Sequence, residues 1–219
     1  MMNRFRFKKI ILTCLINVFL VSLFTVQYLS FNAYASEELV LRLEEAYKNI
    51  NDANGKFIQT AYIKDLDKTQ KFTGRFYIKG DKIRWQYQGE FSQVVYLNKT
   101  SLIVYDKARK QAIQSSFTEE KYGQLPLALL SRMAVLKRDF EITQRSENSL
   151  ILIPKSKMGN IKSIEIITHD ESFPIKSLKV TDFQDNTIKI DFQSVKINTN
   201  LKDSIFKFIP KEDDTVLKY

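Results

Sequence analysis

The side chains best suited to nucleophilic, acid–base or metal chemistry are scarce in this chain. There is one histidine, His169, and one cysteine, Cys14. A Ser–His–Asp triad would have to use His169, which stands in Thr168-His169-Asp170-Glu171-Ser172. That polar run reads as a turn between two strands. One His and one Cys exclude paired-His catalysis, Cys-rich zinc sites within one chain and a disulfide scaffold. The sequence holds no G-x-S-x-G elbow, no G-x-x-x-x-G-K phosphate loop, no G-x-G-x-x-G and no H-E-x-x-H. Its acidic pairs, Glu44-Glu45, Glu119-Glu120 and Asp213-Asp214, are adjacent residues that point apart on a helix or strand and read as solvated surface. The expectation is a protein with no catalytic residue, no metal and no cofactor.

Apolar surface is what the chain has in quantity. Of 219 residues, 44% are hydrophobic and 12% aromatic, a globular composition of a size for one domain. Six Gly and four Pro leave no room for a long flexible linker. The net charge of +9 raises nucleic acid or an anionic membrane as partners. The basic residues are spread through amphipathic elements, however, with no basic stripe and no RNA-binding aromatic motif, so nucleic acid is not expected.

The first residues account for part of that charge. Arg4, Arg6, Lys8 and Lys9 precede a mostly apolar run from Ile10 to Leu29, and Ala33-Tyr34-Ala35 supplies a small-x-small end. This order describes a secretory signal peptide cleaved after Ala35, with an uncleaved anchor as the alternative, since about 20 residues can span a bilayer. Cys14 follows Lys9 too closely, and lacks the small preceding residue, to be a lipidated cysteine. The predicted mature domain, residues 36–219, has 184 residues, a net charge of +5 and no Cys. At that size it can fold on its own core.

From Ser36 to Ala53, Leu39, Leu43, Ala46, Tyr47 and Ile50 recur at helical spacing, with Ser36 as cap and Asn54-Gly55 as terminator. From Lys56 the period changes to 2. Phe57, Gln59, Ala61 and Ile63 share one face; so do Phe72, Gly74, Phe76 and Ile78, and again Ile83, Trp85 and Tyr87 after a Lys79–Lys82 turn. Strands Val94–Leu97 and Leu102–Tyr105 follow across Asn98-Lys99. Connections this short mean antiparallel pairing. Residues Phe117 to Phe140 turn helical around Pro126-Leu127-Ala128-Leu129-Leu130-Ser131-Arg132-Met133. Four more strands occupy Leu150–Ile153, Ile161–Thr168, Ile175–Gln184 and Thr187–Lys196, and a short segment, Phe206–Ile209, closes the chain. The pattern predicts one α+β domain, a large antiparallel sheet with two helical segments against its concave face.

Twenty aromatic residues remain in the predicted mature chain, many at alternating strand positions. They either fill an ordinary core or line a cavity that takes an apolar ligand. Strand parity with Trp85 selects Phe57, Phe76, Ile78, Ile83, Trp85 and Tyr87 as lipid-binding candidates from the sheet. The helical stripes select Leu39, Leu43, Ile50, Leu127, Leu130 and Met133.

The order of these features resembles one family, the LolA-type periplasmic lipoprotein carriers, over essentially the whole mature chain. The resemblance rests on Phe57-x-Gln59, Gly74-x-Phe76-x-Ile78-Lys79 and Ile83-Arg84-Trp85-x-Tyr87. It continues in Gln93-Val94-Val95, Leu102-x-x-Tyr105-Asp106 and Pro126-Leu127-x-Leu129-Leu130. Later landmarks are Leu152-Ile153-Pro154-Lys155, Asp182-x-x-Asp185-Asn186-Thr187 and Phe206-x-Phe208-x-Pro210. The chain departs from the family pattern in having Lys79-Gly80 for Arg-Pro, Asn98-Lys99 for Asp-Gly, and Ile103 for a Trp.

The resemblance implies a monomeric, incomplete antiparallel β-barrel with a helical lid over its concave apolar face. It implies a periplasmic chaperone sheltering the acyl chains of lipoproteins between the inner and outer membranes, without a cofactor. The implied partners are acylated lipoproteins, an inner-membrane ATP-driven transporter that releases them and an outer-membrane acceptor. Lys79 falls at the family's lid-holding Arg; two readings stand side by side, its ammonium on the lid's helix C-terminal carbonyls as a latch, or an ordinary exposed turn Lys. The alternatives are a carrier or sensor of another lipid on the same fold, and a protein-binding module with a filled core.

Overall fold

Alternation of apolar and polar side chains from residue 52 onwards is realised as one twelve-stranded sheet. The computed structural model describes residues 37–90, 92–118, Leu130, Met133 and 136–219. The leader, its cleavage site, Ser36 and Leu127 lie outside these residues. An opening helix, α1 (37–48), leads into β1 (Asp52–Ile63), β2 (Lys68–Lys79), β3 (Lys82–Gln88), β4 (Gln93–Leu97), β5 (Ser101–Asp106) and β6 (Gln111–Ser116). A one-turn helix, α2 (Leu136–Asp139), precedes β7 (Phe140–Ser146), β8 (Ser149–Pro154), β9 (Ile161–Thr168), β10 (Ile175–Asp182) and β11 (Thr187–Ile197). After a 3-10 turn at Asp203–Phe206, β12 (Thr215–Lys218) ends the chain.

The strand order is β12-β6-β5-β4-β3-β2-β1-β11-β10-β9-β8-β7. Two antiparallel meanders, β1–β6 and β7–β11, are joined where β1 pairs with β11, from Ala53↔Ile197 to Tyr62↔Thr187. With β12 and β7 at opposite ends, the sheet is not closed. The fold is mostly sheet with few helices, as the periodicity predicts.

The helix predicted over Ser36–Ala53 ends early: residue 48 is its last, and Asp52–Gly55 belong to β1. Tertiary pairing decides this, because Ala53 lies opposite both Ile78 and Ile197. The register against β11 shifts between Asn54 and Lys56. Gly55 lies in that bulge, where a Cβ would come within 3.0 Å of the Gln193 carbonyl and the Phe76 ring. Asn54-Gly55 therefore mark a bulge and not a helix end.

Pairing is antiparallel except at one edge, where β12 runs parallel to β6. Strands β6, β7 and β12 escape the sequence pattern. In Gln111–Ser116 only Ala112 and Ile113 are apolar, and β12 owes its place to β6 more than to its own composition. Phe206–Ile209 is the end of a 3-10 turn and extended chain, not a strand.

The polypeptide leaves β11 through Asn198 and Asn200, both in the left-handed region that Asn tolerates well (φ 54° and 59°). It then crosses the ends of β1, β2 and β3. The carboxylate of Asp52 accepts from the backbone N–H groups of Thr199 and Leu201 and from the Thr199 hydroxyl. This strap, 198–214, lies on the outer face of these strands, opposite the face that carries Phe76, Ile83 and Trp85.

Candidate functional site

Alternation on β1, β2 and β3 directs Phe57, Phe76, Ile78, Ile83 and Trp85 to one face, here the inner face, where each is at most 4% exposed. Phe57 and Trp85 stack with ring centroids 3.8 Å apart. Gly74 makes that possible: a Cβ there would collide with the Phe57 ring and the Gln86 carbonyl. Phe76 continues the aromatic layer, edge-on to Phe192 at 5.2 Å and tilted against Phe173 at 6.2 Å. From α1, Leu39 and Leu43 join the same buried cluster, as do Leu130 and Met133, while Ile50 and Tyr87 pack against it part-buried. The structure thus gathers the apolar positions singled out from sequence, apart from Leu127, into one seam between α1 and the sheet. It fills their surroundings with side chains.

Sequence reasoning passes over Val40, Phe173 and Phe192 in this seam. Phe192 is available from parity with Ile190, and Val40 from its place beside Leu39 and Leu43. Phe173 lies in the β9–β10 turn and carries no periodic signal. In the same turn, a ring nitrogen of His169 (Nε2) lies 2.8 Å from the Phe173 carbonyl and Nδ1 lies 3.3 Å from the Glu171 carboxylate. Among the described residues no group of three or more His, Cys, Asp or Glu is placed to hold a metal ion.

One end of the seam is polar. The Tyr87 hydroxyl donates to Gln59 Oε1 at 3.0 Å. Burial pushes its pKa up, against the pull of the neighbouring Trp85 indole and of Gln59. Trp85 is wholly buried, yet among the described residues no acceptor meets hydrogen-bond geometry with its indole N–H.

Helix α1 is held at its margins by charged contacts. Glu37 pairs with Lys137 at 2.9 Å, and the buried Glu44 accepts from the Lys137 backbone N–H at 3.3 Å. Two clefts flank the helix. One, of about 430 Å³, lies between it and edge strand β7 and is lined by Val40, Phe140 and Ile142 with Glu37, Lys137 and Lys155. The other, of about 260 Å³, lies beside the β9–β10 turn and is lined by Leu39, Leu43 and Pro174, among others.

Lys79 takes different partners from those expected. Its Nζ donates to the Leu201 carbonyl at 2.8 Å and pairs with Asp203 at 2.9 Å. The cause is parity: Lys79 follows Ile78, so it points to the outer face, where the strap lies, and away from α1. Lys82 shares Asp203, and Arg84 donates to the Ile205 carbonyl.

The family model described as outer membrane lipoprotein carrier protein LolA matches residues 48–209 of this chain. The chain belongs to this family. Among its curated relatives, an outer-membrane lipoprotein carrier protein of Alcanivorax borkumensis is 24% identical over 190 residues, covering 84% of this chain and 88% of the relative. A protein of the same name from Pseudomonas putida is 26% identical over 212 residues, covering 92% and 98%. Among solved structures, an uncharacterized conserved protein from Thermus thermophilus superposes with a TM-score of 0.51 at 12% identity, covering 84% of this chain and 98% of that one. That likeness concerns the fold. Within the LolA family frame, β1 to β3 with their Phe57, Gly74 and Trp85 lie inside the matched span. Most of α1 precedes it.

Proposed function

We propose that this LolA-family chain is a periplasmic carrier that shelters the acyl chains of lipoproteins between the inner and outer membranes. The observation that supports this reading is the aromatic seam between α1 and the unclosed sheet, flanked by clefts on both sides of the helix. An acyl chain in water costs about 0.8 kcal/mol per CH₂. A carrier must therefore exchange one apolar contact for another, and a seam made of non-directional contacts does so without leaving polar groups unpaired. In this reading α1 is the lid over a concave apolar face. Moving it exchanges Leu39, Leu43 and Ile50 for acyl chain against Phe57, Phe76, Ile78, Ile83, Trp85 and Tyr87, with Leu127, Leu130 and Met133 completing the cover.

Residues 1–35 act as the export signal and residues 36–219 as the carrier domain. An inner-membrane ATP-driven transporter loads it and an outer-membrane acceptor unloads it; neither step needs chemistry from the carrier. Lys79 serves this cycle by anchoring the strap behind the seam.

The test uses delipidated protein and cis-parinaric acid, whose fluorescence rises on burial. Uptake together with a change in emission of the lone Trp85 is expected. Protein recovered from the periplasm should then carry triacylated lipoproteins, detected by mass spectrometry. Absence of uptake would favour the filled-core, protein-binding alternative, and uptake without lipoprotein cargo would favour a carrier of another lipid.

A further inference from the structure

The inner face has a direction. Phe76, Ile78 and Ile83, towards the β2–β3 turn, are dry and purely apolar, at 4% exposure or less. Towards the β1–β2 turn the same face carries Gln59, opposite Phe72, and Tyr87, opposite Gly74; both are part-exposed and bonded to each other. Trp85 stands at the junction. Its indole N–H is a buried donor that no acceptor among the described residues meets in full hydrogen-bond geometry, although it draws down the pKa of the Tyr87 hydroxyl beside it. An unpaired buried donor is destabilising, and phenylalanine would stack on Phe57 without that loss.

We infer that Trp85 Nε1 is the donor for an ester carbonyl of a bound acyl glycerol. This rests on the carrier reading and deepens it. Gln59, whose Oε1 is occupied by Tyr87, turns its amide NH₂ into a second donor at the same end of the seam. The acyl chain then runs from the ester at Trp85 over Ile83 and Phe76 towards Ile78. The glyceryl group and the peptide attached to it leave at the Tyr87 end, towards the β1–β2 turn. Exchange of the resident side chains for acyl chain thereby gains one hydrogen bond as well as replacing apolar contact. A plain hydrocarbon lacks that gain.

The experiment takes ¹⁵N-labelled exported protein, whose lone tryptophan gives a single indole N–H resonance. Two probes are titrated: 1,2-dioctanoylglycerol and its dioctyl ether counterpart, which lacks the carbonyls. The ester is expected to move the indole proton downfield and to bind more tightly than the ether. Trp85→Phe should weaken diester binding by about two- to tenfold more than it weakens diether binding, that difference being the range of one hydrogen bond. Retained diether uptake also certifies that the variant is folded, and the resonance shift is read on the unmutated protein. Equal indole shifts with both probes, or equal loss of both by Trp85→Phe, would overturn the assignment of the donor while leaving the carrier reading intact. Uptake of neither probe by the unmutated protein would overturn both.

Discussion

The two faces of β1–β3 are held by different physics. On the inner face, Phe57, Phe76 and Trp85 need only apolar neighbours, and any such surface satisfies them to a similar degree. On the outer face the strap is fixed by partners at defined distances: Lys79 on Leu201 and Asp203, Lys82 on Asp203, and Arg84 on Ile205. Arg84 also lies over the rings of Tyr77 and Tyr96, at 5.7 and 5.6 Å, while Phe208 packs on Tyr96 and Tyr105. Directional contacts have few equivalent alternatives; apolar contacts have many. A sheet built this way can exchange what covers its inner face while its outer face keeps the strands in register.

The largest effect that would test this contrast is on the inner side. Phe76 is fully buried and touches three other aromatic residues. Phe76→Ala should cost about 3–5 kcal/mol in urea unfolding, by lost transfer energy plus the cavity. If inner contacts are exchangeable, saturating fatty acid should restore part of that loss, because the cavity accepts the chain. A loss that ligand cannot restore would mean that the inner face is as specific as the outer one.

On the outer side, Arg84→Met keeps the aliphatic stem but removes the guanidinium. The bonds to Ile205 and Gln86 and the two ring contacts go with it, while the buried and unpaired Nε ceases to be a burden. The net expectation is a loss of about 2 kcal/mol, between the usual worth of a charged hydrogen bond and of a cation–π pair. Hydrogen exchange should rise along 201–208 first, and added fatty acid should restore nothing. Recovery with ligand would join the two faces into one system.

This division also explains what can be read from the sequence. The inner face follows from period 2 alone, since residues two apart share a face whatever the partner strand; Phe57, Phe76 and Trp85 are legible for that reason. The opening helix is legible through Leu39 and Leu43, but its end is not. Asn54-Gly55 has the composition of a terminator, and only pairing with β11 turns it into a bulge. The outer strap is invisible because its contacts lie about 120 residues apart in sequence, as between Lys79 and Leu201, and leave no periodic trace. The lid contact expected of Lys79 comes from the family's latch, whereas parity with Ile78 already points the side chain outward. The orphan Trp85 N–H is likewise beyond reach, since satisfaction of a donor depends on angles that no spacing encodes.

The smallest expected effect concerns acid, and it separates the faces by charge. Asp52 is covered by the strap yet sits near the molecular surface. Burial alone would raise its pKa, but the backbone amides of Thr199, Leu201 and Asn200 and the Thr199 hydroxyl outweigh it and hold the value below the ordinary one. Asp203 is likewise lowered, by hydrogen bonds from Lys79 and Lys82 and their charges. A folded-state pKa below the unfolded value of about 3.9 means that the stabilisation is fully present above about pH 4 and is lost as pH falls through the folded values. The inner face titrates nothing in that window. Between pH 5 and pH 3, protection against amide exchange, referred to the intrinsic rate at each pH, should therefore fall at 199–203 while the amides of Phe76 and Trp85 keep theirs. Asp52→Asn should loosen the strap already at pH 5, since its NH₂ faces a backbone N–H that needs an acceptor, and should flatten the remaining acid dependence at 199 and 201. If strap and inner-face amides lost protection in step, the outer contacts would be part of one cooperative unit with the seam, and an exchangeable inner face on a fixed outer frame would no longer describe the molecule.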